Sequence, residues 1–174
     1  MQLPSVNIQK ILYTTDLSDT SLHAFSYAVS LANCYKATIT VLHVFGEQDT
    51  LEPYVASFLT EEQIKTIRER RSNEAREALI GKKRSSDEAE KETLNQFMEN
   101  IKTDPGTLSF HMDEVLVLRG SPAEKILEVA HGQEFDLIVM GTHGQSLMKE
   151  MLGSVARHVT RHSKVPVLSV RLQG

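Results

Sequence analysis

Three groups of residues have the types and spacing that chemistry requires. Asp16 directly follows the β-rich run Ile11-Leu12-Tyr13-Thr14-Thr15. A carboxylate at a strand end accepts hydrogen bonds from vicinal hydroxyls, and it serves equally as a turn or helix-cap residue. The second group is Asp136-Leu137-Ile138-Val139-Met140-Gly141-Thr142-His143-Gly144, continuing to Gly153-Ser154-Val155. Here an apolar run gives way to glycines, with a helical pattern behind the last of them. Glycine lets backbone N–H groups approach a ligand with no Cβ in the way, and a helix start adds unpaired amides and the positive dipole end. The amides of Gly153, Ser154 and Val155 therefore suit an anion, phosphate above all. The Ser154 hydroxyl reads as a donor to a phosphate oxygen, a ligand for a Mg²⁺ on it, or an N-cap, and these roles are compatible.

The third group is histidine. His158 and His162 stand at i and i+4, on one helix face, but the run His-Val-Thr-Arg-His lacks a metalloprotease Glu and no third ligand is evident. It reads as an exposed face near a helix C-terminus, where the dipole favours basic groups. His43 lies in a buried-type strand and reads as a hydrogen-bonded core or pocket-rim residue. His143 lies inside the glycine loop and reads as a phosphate contact. No assembled nucleophile, base and orienter is visible. Gly-x-x-x-x-Gly-Lys-[Ser/Thr], a Gly-x-Gly-x-x-Gly after the first strand, and Gly-x-Ser-x-Gly are all absent, which counts against P-loop NTPases, dinucleotide dehydrogenases and α/β-hydrolases.

The elements that must hold these residues alternate between strand and helix. A strand ends at Thr15, and Ser18 or Asp19 caps a helix from about 20 to 35, with Leu22, Phe25, Ala28, Val29 and Ala32 on one face. A strand spans 38–45. The next connection, residues 46–107, is long. Thr60-Glu61-Glu62-Gln63 reads as a capping box opening a helix through Ile64, Ile67, Ala75, Ala78 and Leu79, broken at 81–86 and followed by a second helix. Its dense charges of both signs read as solvated helix faces, with a partner-binding surface as the other reading. Val115 to Leu118 belongs to the third strand, and Ser121-Pro122 opens a helix closed by Gly132. The fourth strand and the glycine loop follow, then a helix from about 154 to 163. A last strand, Val165 to Val170, contains Pro166, which belongs at a strand start or a sheet edge. This alternation specifies a single-domain α/β doubly wound sheet over residues 1–174 with a helical insertion at 46–107.

The 174 residues allow one domain with a real core, and a net charge of −4 gives no general attraction to nucleic acid or anionic membrane. Cys34 is the single cysteine, no apolar leader opens the chain, and no stretch approaches the ~18 apolar residues of a span. The expectation is a cytoplasmic protein.

The sequence resembles the universal stress protein family at five places in order. These are Ile11-Leu12-Tyr13-Thr14-Thr15-Asp16-Leu17-Ser18; Leu42-His43-Val44; Gly120-Ser121-Pro122-Ala123-Glu124-Lys125-Ile126; Gly141-Thr142-His143-Gly144 with Gly153-Ser154-Val155; and Val165-Pro166-Val167-Leu168-Ser169-Val170. The resemblance implies a Rossmann-like five-stranded parallel sheet, a homodimer paired through the last strand (Val165 to Val170), and in one branch a bound ATP at the strands' C-terminal ends. It implies that Asp16 holds ribose hydroxyls or the adenine edge. Thr14, Thr15 and Val44 would line the base pocket, with Met140 and Gly141 beside it. His143, Gly144, Gly153, Ser154 and Val155 would surround the phosphates. In the ATP-binding branch nine residues separate the second and third glycines. Here there are eight, Gln145 to Leu152, and one residue fewer shortens the loop's reach by up to ~3.5 Å. The leading expectation is a stress-response sensor or switch that binds ATP or another adenine nucleotide, with no catalytic residues assigned, and that is non-catalytic or hydrolyses ATP only slowly. The alternative is a nucleotide-free dimeric interaction protein whose shortened loop closes the phosphate site and whose inserted helices meet an unknown protein partner.

Overall fold

Five short apolar runs, separated by helices or by a long connection, pair side by side because none of them can satisfy its own backbone. The computed structural model describes residues 3, 5–45, 59–66, 69, 86–103, 109–142 and 152–171. In chain order the elements are β1 (Lys10–Thr15), α1 (Asp19–Tyr35), β2 (Thr38–Phe45), α2 (Ser86–Thr103), β3 (His111–Arg119), α3 (Pro122–Gly132), β4 (Leu137–Gly141), α4 (Ser154–His162) and β5 (Val167–Val170). The sheet is all parallel with strand order β3-β2-β1-β4-β5. The expected doubly wound α/β sheet is what forms.

The central strand β1 is buried along Ile11–Thr15, and period-two alternation sends its side chains to two different layers. Tyr13 goes to the α1 side, where its ring lies 4.8 Å from that of Phe25. Leu12 joins Leu42, Ile138 and Met140 beneath Ile126, Val129, Ala156 and Val159 of α3 and α4. The strand order reverses between β2–β1 and β1–β4, so the C-terminal ends of β1 and β4 flank the switch point where open α/β sheets hold ligands.

Several local expectations are refined. Ser18 is the N-cap of α1, its hydroxyl accepting from the Ser21 amide at 3.3 Å. β3 begins four residues earlier than expected and carries a register shift between Ile39 and Val41, so Asp113 and Glu114 together stand opposite Thr40. Gly132 is still helical, and the left-handed residue beyond α3 is Glu134, at φ 54°. β5 is an edge strand, and Pro166 precedes it with its carbonyl accepting from the Ile138 amide.

By internal contacts the chain divides into residues 1–47 with 108–174, and residues 48–107. In the second unit Thr60 and Gln63 form the reciprocal capping box, with Thr60 N–H to Gln63 Oε1 at 2.8 Å and Gln63 N–H to Thr60 Oγ1 at 3.2 Å. Leu94, Phe97 and Met98, with Thr93, are its buried residues on α2 among those described. The expected inward residues Ile67, Ala75, Ala78 and Leu79, and the break at 81–85, lie outside the described residues. No described helix is long and apolar enough to cross a membrane.

Candidate functional site

At the C-terminal edge of the sheet a cleft of ≈ 260 Å³ opens on the α3/α4 side. It is built in layers. Thr14, Leu42, Val44 and Met140 come up from the sheet. Pro122 and Ile126 come from α3, Val155 and Ala156 from α4, and Thr15, Asp16, Ser21, Gly141, Thr142, Gly153 and Ser154 close the remaining sides. Nine of the residues expected at a nucleotide site thus meet in one place: Thr14, Thr15, Asp16, Val44, Met140, Gly141, Gly153, Ser154 and Val155. His143 and Gly144 lie outside the described residues. Sequence reasoning missed Ser21, Leu42, Pro122, Ile126, Thr142 and Ala156. Leu42 was within reach, because it lies two residues before Val44 and so shares its face of the sheet.

The β1–α1 side of the cleft is held by a closed hydrogen-bond network. Asp16 Oδ1 accepts from the Ser18 amide at 3.1 Å and the Ser18 hydroxyl at 2.6 Å. The turn role expected of Asp16 is thus carried by Oδ1, and the residue also lines the cleft. Thr15 Oγ1 accepts from the Leu17 amide at 2.9 Å and pairs with Ser21 Oγ at 2.9 Å. Ser21 Oγ–H donates to the Ser18 carbonyl at 2.9 Å, while the Tyr13 hydroxyl donates to the Ser21 carbonyl at 2.8 Å. Burial pushes the Tyr13 phenol well above its ordinary pKa, so it stays a neutral donor. His43 is buried and its Nδ1–H donates to the Thr15 carbonyl at 2.7 Å, the hydrogen-bonded core role expected of it. Leu17 sits at φ 61°, a left-handed conformation that costs a non-glycine residue about 1–2 kcal/mol. The turn is over-determined.

The β4–α4 side is tied by backbone bonds. The Gly153 amide donates to the Thr142 carbonyl at 2.7 Å, and the Thr142 amide donates to the Val170 carbonyl at 2.8 Å. Gly153, at φ −56° and ψ 153°, is the N-cap of α4, and the first intrahelical bond runs from the Arg157 amide to the Gly153 carbonyl. Two expectations change here. The Gly153 amide is already engaged, which leaves Ser154, Val155 and Ala156 as the amides that the helix cannot pair internally. Ser154 is the first helical residue rather than the cap, because glycine and serine both suit a cap and the one nearer the turn took it.

Gly141, expected to open the backbone to a ligand, is a glycine for a different reason. A Cβ there would meet Thr20 Cγ2 at 3.1 Å and the Ser21 amide nitrogen at 3.2 Å. Its missing side chain lets the first turn of α1 press against the end of β4. Among the described lining residues Asp16 is the one formal charge, so an anion in the cleft meets helix amides and hydroxyls.

His158 and His162 stack on the exposed face of α4, ring centroids 4.2 Å apart, and His162 Nδ1 bonds the His158 carbonyl. Among the described residues no group of three or more His, Cys, Asp or Glu is placed to hold a metal.

The family model described as "Universal stress protein family" matches residues 7–171. Universal stress protein MJ0577 of Methanocaldococcus jannaschii is 30% identical over 96% of this chain and 97% of its own. Its solved structure superposes with a TM-score of 0.62 at 28% identity, covering 97% of this chain and 99% of that one. A universal stress protein solved in complex with cAMP is similar at a TM-score of 0.54 and 22% identity, covering 95% of this chain and 98% of that one. One from Archaeoglobus fulgidus in complex with dAMP is similar at 0.55 and 19%, covering 96% of this chain and 100% of its own.

Proposed function

This chain belongs to the universal stress protein family, and we propose that it is a switch that binds an adenine nucleotide, ATP with or without Mg²⁺, rather than an enzyme. The observation that carries this reading is the placement of Asp16 and of the start of α4, whose first amides the helix cannot pair internally, around one cleft at the sheet's switch point. A carboxylate on one side matches sugar hydroxyls, and a helix N-terminus on the other matches phosphate. Leu42, Val44, Ile126, Pro122 and Met140 supply the apolar slot a purine needs. Two proteins of the same fold were solved with cAMP and with dAMP, which makes an adenine nucleotide the ligand class to try first. The cleft's ≈ 260 Å³ falls just below the ~300–1,000 Å³ of small-molecule sites, so it takes part of a nucleotide and leaves the remainder at the mouth. His143 and Gly144 belong to this reading as phosphate contacts.

Bound nucleotide would act by differential affinity, favouring one arrangement of the segment between Thr142 and Gly153 and so biasing a partner surface. The insertion at 46–107 is our candidate for that surface. The test is direct: protein purified without added nucleotide is denatured, its supernatant is chromatographed, and the stripped protein is titrated with Mg·ATP by calorimetry. Co-purified adenine nucleotide or saturable heat supports the switch. Neither, up to millimolar ATP, favours the nucleotide-free interaction protein. The engaged Gly153 amide favours this second reading, since it removes one donor from the anion site.

The homodimer we propose uses the free edge of β5. Ile138 N–H to Pro166 and Thr142 N–H to Val170 set the register with β4, so residues 166, 168 and 170 face β4. The backbone groups of Val167 and Ser169 point outward. Ser169→Pro removes an outward donor and leaves the β4 ladder whole. Pairing through this edge requires sedimentation to shift from dimer to monomer; an unchanged dimer places the interface elsewhere.

A further inference from the structure

Ser21 has no place in the expected nucleotide site, yet it is the point through which the Asp16 turn is held. Its side chain is 2% exposed. Each hydroxyl has one proton, so the direction of the chain of bonds is set. Ser21 Oγ–H donates to the Ser18 carbonyl, so the proton between Thr15 and Ser21 belongs to Thr15. Thr15 Oγ1 is then left to accept from the Leu17 amide. The run is Leu17 N–H to Thr15 Oγ1–H to Ser21 Oγ–H to the Ser18 carbonyl, and it spans the residues on both sides of Asp16. The Ser21 amide additionally donates to Ser18 Oγ, whose own proton goes to Asp16 Oδ1. Two paths reach the Asp16 turn from Ser21: its hydroxyl acts through Thr15 and Leu17 and on the Ser18 carbonyl, and its backbone amide, which any residue keeps, acts through Ser18 Oγ. They hold Leu17 at φ 61°, a conformation that the chain abandons without such over-determination.

We propose that Ser21 is a positioning residue for hydroxyl recognition: it fixes the Asp16 turn so that Oδ2 faces the sugar, and it acts through Thr15 and Ser18. The proposal rests on the nucleotide-switch reading above. Its consequence is a change in selectivity, because a loosened turn loses its grip on the sugar hydroxyls and leaves base and phosphate contacts in place.

The experiment compares Mg·ATP with Mg·2′,3′-dideoxy-ATP by calorimetry on the full chain, wild type against Ser21→Ala. The wild type is expected to prefer ATP by about tenfold or more, the scale of a hydrogen bond to a charged group. In Ser21→Ala the preference is expected to fall to about twofold or less, because ATP affinity drops toward that of the dideoxy analogue. Thr15→Val, which cuts the same chain at its other end, is expected to give the same collapse, and the double variant no more than either single one. A merely structural role would lower both affinities equally and keep the ratio, and that result overturns the proposal. A retained tenfold preference in Ser21→Ala overturns it too. Wild-type protein that binds neither compound overturns the switch reading itself, and one that binds both equally removes Asp16 from sugar recognition; the proposal falls with either. If Ser21→Ala proves poorly folded by circular dichroism, Thr15→Val alone decides by the same ratio.

Discussion

The two sides of the cleft are built on opposite principles. Between Tyr13 and Ser21 almost every polar atom near Asp16 is engaged, and a strained Leu17 is held in the middle. On the other side, among the described residues, the Gly153 amide is tied to the Thr142 carbonyl, and α4 opens with three amides, those of Ser154, Val155 and Ala156, that the helix cannot pair internally. A saturated network holds geometry and suits the reading of a neutral, directional group such as a hydroxyl. A helix start suits an anion, whose orientation matters less than its charge. On the proposed nucleotide reading, the difference assigns selectivity and affinity to separate elements, so they should be separable by mutation.

The largest effect expected is from Asp16→Ala. Losing a charged acceptor for the sugar costs about 1.5–3 kcal/mol, or about 10- to 100-fold in ATP affinity, measured by calorimetry. A loss under about threefold would mean that the rigid side reads nothing. Gly141→Ala comes next and tests stability. Its Cβ would lie 3.1–3.2 Å from Thr20 and Ser21, and overpacking of this kind costs about 1–3 kcal/mol. At about 2–4 °C per kcal/mol for a chain of this size, thermal unfolding should fall by several degrees. An unchanged midpoint would show that α1 can move away from β4, and the rigid side would lose its name.

Ser154→Pro tests the α4 side. Proline is favoured at the first helical position and follows the extended Gly153 without strain, so the midpoint should hold. One amide and one hydroxyl aimed at an anion are lost, and ATP affinity should fall several-fold while the preference over the dideoxy analogue stays. The smallest effect is that of Gly153→Ser. A serine N-cap improves on glycine by a few tenths of a kcal/mol, and its Oγ would take the Val155 or Ala156 amide. Stability rises slightly as nucleotide affinity falls. Both rising together would mean that these amides face no anion.

Most of the architecture was legible because it follows from periodicity. The apolar run at 137–140, the helix face through Phe25, Ala28, Val29 and Ala32, and Pro166 beside an edge each carry a local signal. The reasons behind individual glycines were not. Gly141 looks alike in sequence whether the missing Cβ makes room for a ligand or for a helix, and only the 3.1 Å approach of Thr20 tells them apart. Asp16 was marked as either a turn residue or a ligand group, and the structure shows the turn role, carried by Oδ1. Ser21 was invisible because its importance lies in bonds to residues three and six positions away, not in its type. The register shift in β3 likewise arises from pairing across strands, which a single strand's sequence does not display.

The bond from the Gly153 amide to the Thr142 carbonyl also bears on how this chain tolerates change in length. It gathers residues 143–152 into a segment whose two ends meet, with the sheet anchored on one side and α4 on the other. In the ideal-chain limit the penalty for closing a loop grows with the logarithm of its length, so ten residues and eleven differ by only about 0.1 kcal/mol. The closing bond between β4 and α4 therefore sets no single length for the chain it spans, and one residue fewer between Gly144 and Gly153 costs the framework almost nothing.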